Sequence, residues 1–182
     1  MDIYSRYVVG WMIAPRESAS LAEKLIQQTC ENQGIERGQL TIHADRGTSM
    51  RSKLVAQLLA DLGITKSHSR PHTSNDNPYS EAQFKTLKYR HTFPKSFGCM
   101  EDATTFLRGF IEWYNRQHKH SGIGYVTPED MHTGRAHYLR EERCKVLSAA
   151  YEKHPERFVR GVPQPPEIPE AAWINKPLEK VA

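Results

Sequence analysis

Cysteine is scarce in this chain: Cys30, Cys99 and Cys144 are the only three in 182 residues, and no two fall at a Cys-x-x-Cys spacing. A disulfide framework and a zinc ribbon are therefore excluded, and the thiols read as buried or idle. Long apolar runs are also missing. Mean hydropathy is −0.68, and no stretch approaches the roughly 18 residues that a bilayer-crossing helix needs. The first residues, Met1-Asp2-Ile3-Tyr4-Ser5-Arg6, lack the basic-then-apolar layout of a secretory leader, so a cytoplasmic location is expected. Internal repeats are absent. The charge excess is modest, with 25 Lys and Arg against 21 Asp and Glu, a formal net charge of +4. It is concentrated, however. Between Thr65 and Lys95 stand six cations (Lys66, Arg70, Lys85, Lys88, Arg90, Lys95) against two acids (Asp76, Glu81), so a polyanionic partner is expected along that segment.

What is present reads as an α/β chain. Residues 4–14 are aromatic and β-branched and read as a strand ending at Pro15. A helix follows, capped by Ser20 with Glu23 three residues on and stopped at Gly34. Residues 39–44 read as a buried strand running into Asp45. A helix from Ser52 to Leu62 carries Leu54, Val55, Leu58, Leu59 and Leu62 and closes at Gly63. Residues 64–69 are short and β-like, and Arg70 to Asp76 is a polar loop. Asn77 and Pro78 supply an N-cap and a proline at the first helical position, predicting a helix to His91 with Pro94 beyond. Residues 101–118 form the most strongly patterned helix, with Phe106, Phe110 and Trp113 beside Leu107, Ile111 and Tyr114 as core. One or two helices are expected over 129–154, and six of the eleven prolines fall at 155 or later, predicting an extended tail. The alternating order implies crossover connections and a mostly parallel sheet. In such sheets the site lies at the carboxyl ends of the strands, where Asp45 stands.

Two carboxylates are candidates for chemistry. Asp45 ends a buried strand, and Glu81 lies in the first turn of a helix, where the macrodipole favours a negative charge. Glu81, Lys85 and Lys88 are spaced i, i+4, i+7, so one helix face carries a carboxylate followed by two ammonium groups. That pattern suits either a solvated face with an ion pair or a metal-holding acid flanked by phosphate-binding lysines. Two-metal phosphodiester chemistry requires hard oxygen ligands of this kind.

Three linked motifs carry a resemblance. They are His43-Ala44-Asp45-Arg46-Gly47, then Ser67-x-Ser69-Arg70-Pro71, then Asp76-Asn77-x-x-x-Glu81-x-x-Phe84-x-x-Leu87-Lys88. Together they resemble the catalytic core of bacterial insertion-sequence transposases related to retroviral integrases. Asp45 and Glu81 enclose 35 residues, the interval between the second and third acids of that family's signature. Asp2-x-Tyr4-Ser5-Arg6 upstream and Tyr114-Asn115, His120-Ser121 and Thr127-Pro128-Glu129 downstream extend the likeness over about residues 2–130.

The resemblance implies an RNase H-like fold, incomplete at its N-terminus, over residues 1–130, with a helical and then Pro-rich extension over 131–182. It implies a DNA strand-cleaving and strand-transferring enzyme using Mg²⁺ or Mn²⁺, with Asp45 and Glu81 as catalytic metal ligands. Lys85, Lys88, Arg70, Lys66 and Asn77 would meet DNA. The implied partners are transposon ends, target DNA, and a second copy or full-length transposase; no membrane is implied. The family's first acid lies upstream of the Asp2 motif, and its Asp at the Asp2 position is no ligand, so this chain is expected to be inactive alone and to complete its sheet with a second chain. Two other readings stay open: a fragment that binds DNA or transposase and inhibits transposition, and a decayed reading frame. His118 and His120 have no accompanying zinc-ligand spacing and are expected to be solvated or DNA-facing.

Overall fold

The structure, a computed structural model, describes residues 1–45, 47–70 and 76–175. Two parts of the sequence reading, Arg46 within the Asp45 motif and Pro71 to Asn75 of the polar loop, lie outside the described residues. The chain forms two compact units, one of the described residues within 9–107 together with Trp173 to Asn175, the other of Asp2–Val8 with Arg108–Ala172.

The first unit alternates helix and strand: α1 (Ala19–Gln33), β1 (Thr41–Ala44), α2 (Lys53–Asp61), β2 (Thr65–His68) and α3 (Pro78–Lys88). β1 and β2 pair in parallel, Thr41 opposite Thr65 through Ala44 opposite His68. That is the geometry a helical crossover such as α2 permits. The core between helices and sheet is Cys30, Val55, Leu59 and Ile64, flanked by Ala22, Ile26, Ile42 and Leu62. Gly34 ends α1 in the left-handed conformation (φ 60°), as the sequence predicts. The cap at the other end is Ser18, not Ser20: the Ser18 hydroxyl accepts the Leu21 N–H at 3.3 Å. Starting at Ala19 adds helical length while still satisfying an orphan amide, so the earlier serine wins. α2 begins from Ser52 as expected, and its hydroxyl accepts the Val55 N–H at 3.2 Å. α3 ends at Lys88 instead of His91: the Tyr89 N–H makes the last i→i−4 bond, to the Lys85 carbonyl at 2.9 Å, and the next amide, Arg90, turns to the Leu87 carbonyl at 3.4 Å, so the helix closes before Pro94.

The expected strand over residues 4–14 does not form; among the described residues the sheet has two strands only. Arg6 sits at φ 66°, which breaks the extended run. At Val8, a side chain replaces a neighbouring strand: Asn115 Oδ1 accepts the Val8 N–H at 2.9 Å, and Asn115 Nδ2 donates to the Val8 carbonyl at 3.2 Å.

Helix α4 (Met100–Arg116) carries the chain from the first unit into the second, followed by α5 (Pro128–His132) and α6 (Ala136–Lys153). Phe110, Ile111 and Tyr114 of α4 are buried, matching the expected apolar stripe. α5 opens on a reciprocal capping box between Thr127 and Asp130. The second core joins Ile123, Val126, Met131 and Ala136 to Ile168 of the tail. After a 3-10 turn at Pro155–Arg157 the described part of the proline-rich tail carries no further helix or strand, and Ile168 buries it locally. Gly124, at φ 72°, makes this possible, since a Cβ there would stand 2.6 Å from Ile168 Cδ1.

His118 and His120 do not stand out in solvent. Their rings lie 4.3 Å apart, packed against Trp113 and Tyr114, and His120 Nε2 is buried without a partner. Burial, then the nearby His118 and Arg6 charges, push the His120 imidazole down to about 4.

Candidate catalytic and nucleic-acid-binding site

Asp45 follows β1 directly, at the carboxyl end of the parallel pair, with its side chain exposed. Its Oδ1 accepts the Gly47 N–H at 3.1 Å, a short-range turn that engages one carboxylate oxygen. Two residues of β2 and its exit hold the strand end in place. Ser69 donates its N–H to the Ala44 carbonyl at 3.2 Å, and His68 Nδ1 lies 3.1 Å from the Asp45 carbonyl oxygen and 3.3 Å from that of Ala44. A ring nitrogen facing two carbonyls must carry the proton, so His68 is protonated at Nδ1. His43, on the other strand, spans the same pair through Ser67 Oγ (2.8 Å) and Ser69 Oγ (3.2 Å).

Glu81 belongs to the first turns of α3, its N–H bonded to the Asn77 carbonyl at 3.2 Å and its side chain exposed. Lys85 and Lys88 are exposed on the same face at helical spacing, so the carboxylate-then-ammonium stripe exists as the spacing implies. Asn77 occupies the N-cap, but at φ −135° and ψ 46° its side chain makes no capping bond, so the carboxamide is not consumed by the helix. Arg70 and Asp76 meet in a two-pronged ion pair described further below. Lys66 is committed locally, its ammonium donating to the Met50 carbonyl. All seven sequence-derived site residues thus lie in the first unit.

Several contributors were not legible in advance. In the sequence His68 is only part of a β-like segment and Glu17 carries no signal; a Cβ on Gly47 would stand 3.1 Å from Asp45 Oδ1 and 3.6 Å from Glu17 Oε1. Asp2 sits in a local hydrogen-bond network. It accepts the Tyr4 N–H at 3.0 Å, the Ser5 N–H at 3.2 Å and the Ser5 hydroxyl, with His132 Nδ1 at 3.5 Å. Burial works against its charge, but these hydrogen bonds outweigh it and hold the carboxyl below the ordinary range.

Exposed carboxylate oxygens are hard donors suited to Mg²⁺ or Mn²⁺ and unsuited to softer metals. Among the described residues, no group of three or more His, Cys, Asp or Glu converges to hold a metal ion. Among the same residues, no helix is long and apolar enough to cross a membrane.

Comparisons with known proteins agree on one family. Residues 1–74 and residues 62–128 each match a family model described as integrase core domain. The chain is 31% identical over 131 residues to the transposase for insertion sequence element IS904 of Lactococcus lactis, covering 71% of this chain and 51% of that protein. It is 26% identical over 147 residues to a putative transposase for IS986/IS6110 of Mycobacterium tuberculosis, covering 78% and 52%. The chain therefore spans about half the length of these relatives. Among solved structures it is similar to the catalytic core domain of BIV integrase, with a TM-score of 0.55 and 22% identity over 75% of this chain and 84% of that one.

Proposed function

For a chain that belongs to the integrase-core family of bacterial insertion-sequence transposases and has its RNase H-like fold, we propose a role as the catalytic-core portion of a transposase. In this reading it supplies metal-holding acids for the cutting and joining of DNA with Mg²⁺ or Mn²⁺, a second chain or a further segment completing the site. The observation that carries it is that one compact unit holds two exposed carboxylates, Asp45 at the carboxyl end of β1 and Glu81 on α3, with Lys85 and Lys88 on the face of Glu81.

Asp45 and Glu81 would hold the cation. When bound, such a cation polarises a phosphodiester and lowers the pKa of an attacking water or 3′-hydroxyl. The protein's own residues do the rest. Lys85, Lys88, Arg70, Asn77 and Lys66 bind backbone phosphates, Lys66 with the N–H donors not given to the Met50 carbonyl. His68 holds the Asp45 backbone and so orients its carboxylate. Two carboxylates do not fill the coordination of two cations, so further ligands come from water, from phosphate oxygens or from a carboxylate outside the described residues.

A test is a nicking and strand-transfer assay on duplex DNA carrying the element's ends, with Mg²⁺ or Mn²⁺, in Asp45→Asn and Glu81→Gln variants. Loss of metal-dependent product in both supports the reading; retention in either overturns it. A second reading is favoured by the lack of a converging three-ligand group among the described residues. In it the chain, acting alone, binds DNA or a transposase subunit and inhibits transposition without cutting. Inhibition of transposition in cells that persists in the Asp45→Ala, Glu81→Ala double variant would select it.

A further inference from the structure

Asp76 is the most deeply buried charged side chain of the first unit, with 2% of its surface exposed, whereas its partner Arg70 is 65% exposed. An acid inside the protein and a guanidinium outside it form an asymmetric pair. Asp76 accepts four hydrogen bonds: from Arg70 Nε at 2.9 Å, Arg70 Nη2 at 2.9 Å, the Arg70 backbone N–H at 2.7 Å and Asn175 Nδ2 at 2.8 Å. Its carboxyl is held far below the ordinary range, first by the Arg70 side chain and then by Asn175. The Asn175 bond joins residues 99 positions apart and ties the C-terminal segment to the entry of α3. A second tie lies one turn on, where the Tyr79 hydroxyl donates to the Trp173 carbonyl at 2.9 Å.

We infer that Asp76 and Asn175 are positioning residues that aim Arg70 at a phosphate of bound DNA. A guanidinium has two forked edges. Asp76 takes the edge formed by Nε and Nη2, and this fixes the plane, so the edge that includes Nη1 faces outward from a largely exposed side chain. A phosphate needs that planar fork, which a lysine cannot supply. Asn175 completes the support because it gives the buried Asp76 Oδ1 a second donor beside Arg70 Nη2. Its backbone, at φ 58°, lies in the left-handed region that asparagine tolerates better than most residues.

This inference rests on the DNA-binding half of the function proposed above, not on its metal chemistry, so the experiment is run in EDTA. The full chain is titrated with a fluorescent duplex by anisotropy over a range of chloride concentrations, with circular dichroism and thermal melting checking each variant. Asp76→Asn decides the question by sign. Removing a negative charge makes the protein more positive, and simple electrostatics then predicts tighter binding. Loss of aim predicts weaker binding by roughly tenfold and a salt slope shallower by about one phosphate contact. Arg70→Lys, which keeps the charge and loses the fork, is expected to weaken binding similarly. Asn175→Gly keeps the left-handed backbone and net charge and is expected to weaken it less, by about threefold.

Asp76→Asn binding as tightly as the parent or more so, or Arg70→Lys binding like the parent, overturns the proposal. Where Asp76→Asn fails to fold, Arg70→Lys and Asn175→Gly decide. Inorganic phosphate is expected to displace the duplex from the parent better than chloride at equal ionic strength and to lose that advantage in Arg70→Lys; an advantage unchanged in Arg70→Lys overturns the assignment of the phosphate to this fork. A parent chain that binds no DNA removes the proposed function itself, whereas a parent that binds with unaffected variants removes only this inference.

Discussion

The Asn115 carboxamide and the Val8 peptide form a closed pair: Val8 donates to Oδ1 at 2.9 Å, and Nδ2 donates back to the Val8 carbonyl at 3.2 Å. This is the exchange two residues make across a β-ladder, performed here by one side chain of α4 on an apolar segment that has no strand beside it among the described residues. Both partners are buried, so neither Val8 group has water as an alternative.

Asn115→Leu is therefore expected to destabilise the second unit by about 1–3 kcal/mol for each peptide group left unpaired. Urea unfolding followed by tryptophan fluorescence measures the change. An unmoved midpoint would mean that solvent reaches Val8 after all.

Asp45→Asn and Glu81→Gln are expected to lower metal-dependent DNA nicking on the order of 100-fold each. Both side chains are exposed, so thermal melting should stay close to the parent, which separates a lost ligand from a lost fold. Equal loss of folded signal and activity would argue for a structural role instead.

His68 acts on Asp45 through the backbone, with Nδ1 at 3.1 Å from the Asp45 carbonyl oxygen. His68→Phe removes the donor and is expected to raise the Mn²⁺ concentration needed for half-maximal nicking by about tenfold, the size seen when support behind a ligand is lost. His68→Asn, whose carboxamide can offer a donor near the same place, should restore most of it. A structural role alone would predict no such rescue.

His120 makes the second unit acid-sensitive. Its folded-state value is pushed down to about 4 by burial, then by His118 and Arg6, against about 6.5 in an unfolded chain. Stability is complete above pH 6.5 and is lost progressively as the pH falls toward 4, because the unfolded chain takes up the proton first. The carboxyls held low, Asp2 and Asp76, act below about pH 5, near the ordinary carboxylate range. Urea midpoints at pH 7 and pH 5.5 should therefore differ for the parent and converge for His120→Gln, and a parent with equal midpoints would remove this role.

Much of the first unit was readable from local chemistry. Ser52, Gly34 and the alternation of apolar runs with polar turns locate α1, β1, α2 and β2 to within a few residues. Caps and periodicity act over three or four residues, a distance the sequence displays directly. The segment over 4–14 misled because β-propensity describes fitness for a sheet and cannot say whether a neighbouring strand exists. The histidines misled similarly, since exposure of a polar ring depends on what folds over it.

By itself, then, the sequence determined the family, the α/β order and the two acids separated by 35 residues, since motifs and periodicity are properties of neighbours along the chain. Only the tertiary structure decided that Asn115 stands in for a strand, that His68 braces Asp45, and that Asn175 reaches back to Asp76. Each of these joins a lone polar group to another remote in sequence, and no local pattern announces such a partner. For the buried groups of Val8, Asn115 and Asp76, the pairing is settled by which donors and acceptors are left without water when the core closes.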